Sequence, residues 1–111
     1  GINLANVPGF VNYSNQTGSV ATKTGSYTMR TNDYVVLMNS AGAASVTLPS
    51  PTAHVYFVKN INVGTCTLQT LTAATIDGHA NVSLGASVGA QVTSDGSNWF
   101  VISQVTAGTI L

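Results

Sequence analysis

From Gly25 onward, no stretch carries an apolar stripe at i, i+3, i+4 and i+7 long enough to form a helix; short runs rich in Val, Ile, Thr and aromatics alternate instead. "ASVTLP" sets Val46 and Leu48 on one face, Ser45 and Thr47 on the other, and stops at Pro49. "SYTMR" pairs Tyr27 with Met29, "TCTLQT" pairs Cys66 with Leu68, and "VGAQVTSD" aligns Val88, Ala90 and Val92. "ATIDG" and "NVSLG" offer Ile76, Val82 and Leu84 as inward residues. Two runs, "DYVVLMN" and "HVYFVKN", are apolar on both faces and suit strands covered on both sides. Asp77-Gly78 and Asp95-Gly96 accept positive φ, and "NSAGAA" and "NINVGT" each supply a glycine for a turn. Turns recur about every 8–12 residues, the spacing of an all-β sandwich or barrel. No exact internal repeat is visible. The expected fold is all-β: an antiparallel β-sandwich or barrel, jelly-roll-like.

Such a chain must protect its sheet edges, and here charge is scarce. Charged residues make up 5% of the 111, against roughly 25% in an average domain. There is no Glu; the acids are Asp33, Asp77 and Asp95, and the bases are Lys23, Arg30 and Lys59. The formal net charge is zero, which gives no attraction for nucleic acid or an anionic membrane. Edge lysines and prolines are too few to guard about nine strands. Closure into a barrel or cover by neighbouring copies is therefore expected. Neighbouring copies also account for the strands that are apolar on both faces; a monomeric sandwich with its own covering loops is the alternative.

Little chemistry can be assembled by spacing. The Asp-Gly pairs read as turn formers. His54 and His79 are far apart and have no nearby Cys or Glu to complete a zinc site. Cys66 is the only cysteine, which excludes an intrachain disulfide, and it alternates with Thr65 and Thr67 as a small core residue. No phosphate-binding glycine loop is present. Asn12, Asn15 and Asn81 head N-x-S/T triplets, which an Asn-, Ser- and Thr-rich chain generates by chance. The expectation is no enzyme activity, no catalytic residues, no metal and no cofactor.

Aromatic residues raise the question of glycan binding. Tyr13, Tyr27, Tyr34, Tyr56 and Trp99 are the candidates, with Tyr13, Tyr34 and Tyr56 kept as glycan contacts. In "SDGSNWFVIS" the Asp-Gly turn feeds a strand with Trp99 and Val101 on one face and Phe100 and Ile102 on the other. That context makes Trp99 a core anchor. The expected core is Val46, Leu48, Phe57, Leu68, Ile76, Trp99 and Val101.

Residues 1–24 differ in character: rich in Asn, Gly and Thr, without a strand period, yet carrying Ile2, Leu4, Val7, Phe10 and Val11. Burying such side chains stabilises by about 1.5–3 kcal/mol each. They are expected to form an arm that docks on another surface, such as a neighbouring subunit, leaving 25–111 as the β domain. The N-terminus lacks the basic start and apolar stretch of a signal peptide, and no apolar run reaches the length of a membrane span.

The runs "YTMRTNDYVVLMNSAGAASVTLPSP", "VYFVKNINVGTCTLQTLTAATIDG" and "VTSDGSNWFVIS" together resemble a β-rich module of tailed-bacteriophage virion proteins, found in tail fibres, head fibres and small decoration proteins. The shared features are a "vtLP" strand at 46–49, a "vKN" strand at 58–60, a "TIDG" turn at 75–78 and a final "sDGsnW.vi" at 94–102. The resemblance implies a trimeric, non-enzymatic assembly part. A chain without a shaft suits a capsid decoration (cement or head-fibre) protein that binds the major capsid protein or other virion proteins through its arm. If the chain is an excised piece, a tail-fibre or spike head that binds host surface glycans becomes the better reading. In either case the expected location is the virion surface, after synthesis in the bacterial cytoplasm.

Overall fold

The computed structural model describes residues 19–106. Nine strands and no helix make up this region: β1 (Ser19–Lys23), β2 (Tyr27–Thr28), β3 (Asp33–Met38), β4 (Ala44–Leu48), β5 (Val55–Asn60), β6 (Cys66–Thr70), β7 (Asn81–Leu84), β8 (Gly89–Ser94) and β9 (Trp99–Val105). They form a five-stranded sheet, ordered β1-β3-β5-β8-β9, and a four-stranded sheet, ordered β2-β4-β6-β7.

The pairing is mixed, which corrects the antiparallel, jelly-roll-like expectation. Four strand pairs are parallel and three are antiparallel. From β1 to β6 the chain crosses between the sheets at every step, so each strand pairs with the strand two places later. Parallel neighbours need a long crossover, commonly a helix. Here the crossover is itself a strand of the facing sheet. The result is three stacked coils, β1–β2, β3–β4 and β5–β6. After β6 the chain reverses: β7 lies antiparallel on β6, β8 on β5, and β9 on β8.

Coils two and three are in register at an offset of 22 residues, with Val36 on Val58 and Val46 on Leu68. The same offset links Tyr34 to Tyr56 and Gly42 to Gly64, a degenerate repeat that identity alone hides. At the shared corner the coils touch backbone to backbone. A Cβ on Gly64 would fall 2.0 Å from the Gly42 carbonyl oxygen. The Gly64 N–H donates to the Ser40 carbonyl at 3.0 Å, and the Asn62 amide donates to Asn39 Oδ1 at 2.9 Å. Asn60, fully buried, seals the corner: its Nδ2 donates to the Gly64 and Leu84 carbonyls at 2.7 and 2.9 Å. Its Oδ1 accepts the Asn62 N–H at 3.1 Å, so the buried amide is satisfied at both ends.

One core lies between the sheets. The five-stranded sheet contributes Val36, Met38, Tyr56, Val58, Ala90, Val92 and Trp99, and the four-stranded sheet contributes Ala44, Val46, Leu48, Cys66, Leu68 and Leu84. Met29 and Ile76 join from the connections, and Val101 packs against the cluster. Phe57 is a correction: it is half-buried on the outer face, because the inward register of β5 is Tyr56, Val58 and Asn60. The boundary of the arm is a second correction. β1 lies within 1–24, yet pairs with β3 from Ser19 to Lys23. Ile2, Leu4, Val7, Phe10, Val11 and Tyr13 lie outside the described residues.

Candidate functional site

Each Asp is committed to local structure. Asp33, 6% exposed, accepts from Tyr27 Oη at 2.6 Å and from the Arg30 N–H at 2.8 Å. That hydrogen bond to the carboxylate, with burial second, raises the Tyr27 phenol above its ordinary pKa. Lys23 Nζ stands 4.3 Å from the centre of the same ring. Asp77 and Gly78, at φ 52° and 82°, form the two-residue turn of a tight hairpin in which Ile76 and His79 exchange backbone hydrogen bonds of 2.7 and 2.9 Å. Asp95 accepts the N–H groups of Ser97 and Asn98 at 2.9 and 3.0 Å. The Asn98 N–H, then that of Ser97, holds its carboxyl below the usual range.

These two turns are joined. Asn98 Oδ1 accepts the Thr75 N–H at 3.0 Å, the Trp99 N–H donates to the Thr75 carbonyl at 2.8 Å, and the Asp77 N–H donates to the Trp99 carbonyl at 3.0 Å. The "TIDG" and "sDGsnW" motifs are thus one clasp. It delivers Trp99 into the core, fully buried, with its ring centre 5.6 Å from that of Tyr56. Tyr56 is 1% exposed and therefore closed to a glycan, which corrects its assignment as a contact. Its side chain points inward because β5 buries its even-numbered residues. Tyr34 is half-buried on β3. The "vKN" motif also has a structural role: Lys59 Nζ donates to the Ser87 carbonyl at 2.7 Å, beside the corner plug Asn60.

Among the described residues no three His, Cys, Asp or Glu side chains converge on a metal-sized site. Burial pushes the Cys66 thiol up to about 11, which keeps it protonated and poorly nucleophilic. His79 is exposed beside its turn.

What the fold does assemble is a pair of unlike outer faces. On the five-stranded sheet, register places Val20 beside Val35 and Val35 beside Phe57. The same pairing places Leu37 beside Lys59, Lys59 beside Gly89 and Gly89 beside Val105. Side chains close over Gly89, where a Cβ would meet Lys59 Cδ at 3.1 Å, Phe57 Cε1 at 3.2 Å and Val105 Cγ2 at 3.2 Å. The β8–β9 register slips between Gln91 and Val92, leaving Ile102 without a partner on β8. Val20, Phe100, Ile102 and Val105 remain 66, 39, 53 and 41% exposed. Lys59 is the one charged residue of β5, β8 and β9, and its ammonium is tied to Ser87.

The four-stranded sheet is the opposite. Its outer face is a lattice of uncharged polar side chains: a row Thr28–Thr47–Gln69–Asn81 and a row Ser45–Thr67–Ser83. Gln69 Nε2 donates to Thr47 Oγ1 at 3.0 Å. At the β6–β7 end a groove of about 420 Å³ opens, lined by Gln69, Thr70, Thr72, Thr75, Asn81 and three alanines. In the sequence this face is written as S-x-T, T-x-Q and N-x-S at the outward positions of β4, β6 and β7, without an aromatic residue to mark it.

Compared with known proteins, the chain matches no family model and no curated protein.

Proposed function

We propose that this chain is a non-enzymatic structural protein of a bacteriophage virion, a capsid decoration protein that assembles as a homotrimer and holds the particle through residues 1–18. The observation that carries the reading is the outer face of the five-stranded sheet. Its exposed apolar side chains, Val20, Phe100, Ile102 and Val105, share the face with the uncharged polar Gln91 and Ser103, and its one charged group, Lys59, is hydrogen-bonded to the Ser87 carbonyl; exposed apolar surface of this kind marks interaction sites. A second copy of this charge-poor chain can cover it at the cost of a single ammonium, that of Lys59, which is already hydrogen-bonded within its own copy. The four sequence motifs that resemble those of virion modules map onto the clasp, the corner plug and the core, which are parts of a scaffold.

Sedimentation of the isolated protein tests the assembly: a trimer mass is expected, and Phe100→Lys with Ile102→Lys should give a folded monomer. A wild-type monomer at micromolar concentration, or a double variant that still trimerises, counts against it. Deleting residues 1–18 should abolish particle decoration while the two sheets stay folded.

A second reading, a fibre or spike head that binds host surface glycans, draws on a different observation. The polar lattice and groove lie on the four-stranded sheet, away from the apolar face.

A further inference from the structure

We infer that the outer face of the four-stranded sheet, with the groove at its β6–β7 end, binds a neutral polysaccharide. The inference deepens the glycan-binding reading and does not depend on the trimer.

Chemistry selects the ligand class. The two rows present hydroxyls and primary amides, which both donate and accept hydrogen bonds. A sugar hydroxyl also does both, so each contact can be made in either sense. No strand of this sheet carries a charged residue, which gives an anionic polymer nothing to pair with. The face also lacks the apolar side chains that a hydrophobic peptide would require. Neighbouring side chains in a row stand about 4.7–4.9 Å apart, so an extended chain of hydroxyl-bearing rings meets a polar group at every strand.

The groove adds shape. Its wall is fixed by its own bonds: Thr70 Oγ1 donates to the Ala74 carbonyl at 2.8 Å, Thr72 Oγ1 accepts the Ala74 N–H at 3.2 Å, and Thr75 Oγ1 bonds Asn98 Oδ1 at 3.2 Å. A wall already ordered loses little freedom when a ligand arrives. Two lining residues keep polar groups open. Gln69 uses only its amide nitrogen toward Thr47, leaving Oε1 as an acceptor, and Asn81 is exposed beside it. No aromatic residue lines the groove. One face therefore binds through hydrogen bonds alone, and weakly.

Affinity electrophoresis of the full-length protein through gels containing dextran, yeast mannan or a galactan tests the inference, with heparin as the charged comparison. At least one neutral polymer should retard the wild type, and heparin should not. Gln69→Ala with Asn81→Ala should weaken that retardation about tenfold with an unchanged melting temperature. Thr67→Lys, on the centre of the lattice, should weaken it independently. No retardation by any neutral polymer, stronger retardation by heparin, or undiminished retardation of both folded variants overturns the inference. Sedimentation of the same samples keeps the two readings apart. A monomer that binds dextran overturns only the assembly, and a trimer that binds nothing overturns only this site.

Discussion

Gly64 sits directly on Gly42: the position its Cβ would occupy is 2.0 Å from the Gly42 carbonyl oxygen, while a Cβ on Gly42 would meet nothing within 4 Å. The two coils are stacked so closely at this corner that only hydrogen fits at the upper position. Gly64→Ala must therefore part the corner, at a cost of about 3 kcal/mol or more. Gly42→Ala should be neutral or stabilising by up to about 1 kcal/mol, through the unfolded chain. Urea unfolding of the two variants checks the asymmetry, and equal effects would refute the stacked corner.

Asn60 links β5 to the Gly64 and Leu84 carbonyls from a fully buried position. Asn60→Leu keeps the volume but strands both carbonyls. The expected loss is about 2–6 kcal/mol, from about 1–3 kcal/mol for each carbonyl left unsatisfied. The measurement is the shift of the urea midpoint at constant slope.

Trp99 and Tyr56 pack against each other, and neither Trp99 Nε1 nor Tyr56 Oη has a hydrogen-bond partner among the described residues. Trp99→Ala should cost about 3–5 kcal/mol. Tyr56→Phe removes only an unpartnered hydroxyl, so it should leave stability unchanged or raise it by up to about 1 kcal/mol. Calorimetric melting of both variants separates the two contributions. A marked loss in Tyr56→Phe would show that the hydroxyl is partnered.

Cys66 carries a pH dependence of definite sign. Its thiol titrates near 9 when exposed and is raised to about 11 by burial. Between these values the folded chain holds the proton more tightly than the unfolded chain. This contribution to stability is complete below pH 9 and is lost as pH rises toward 11. Cys66→Ala should flatten that alkaline decline. In the native protein at pH 8, a disulfide reagent should label the thiol only at the rate of unfolding.

The Asp77-Gly78 hairpin is a local device, so the turn and the exposure of His79 beside it are legible in sequence. Alternation gave Val46, Leu48, Leu68 and Ile76 the same inward positions that they occupy in the fold. Phe57 went astray because "HVYFVKN" is apolar at both parities, and nothing local says which parity faces in. The polar lattice was also written in the outward residues of β4, β6 and β7, but its meaning depends on those strands being neighbours.

What the sequence determined by itself was local: which runs extend, where Asp-Gly and glycine corners turn them, and which face of each alternating strand is apolar. Side-chain sterics, turn conformations and a period of two act within a few residues, so they are readable along the chain. Tertiary structure alone decided that β3 pairs with β5, 22 residues on and parallel, with β4 crossing the facing sheet between them. A strand's backbone can pair on either edge and in either direction. The choice came from contacts far apart in sequence: Gly64 on Gly42, Asn60 between two carbonyls, and Trp99 against Tyr56 in a core that neither residue encloses alone.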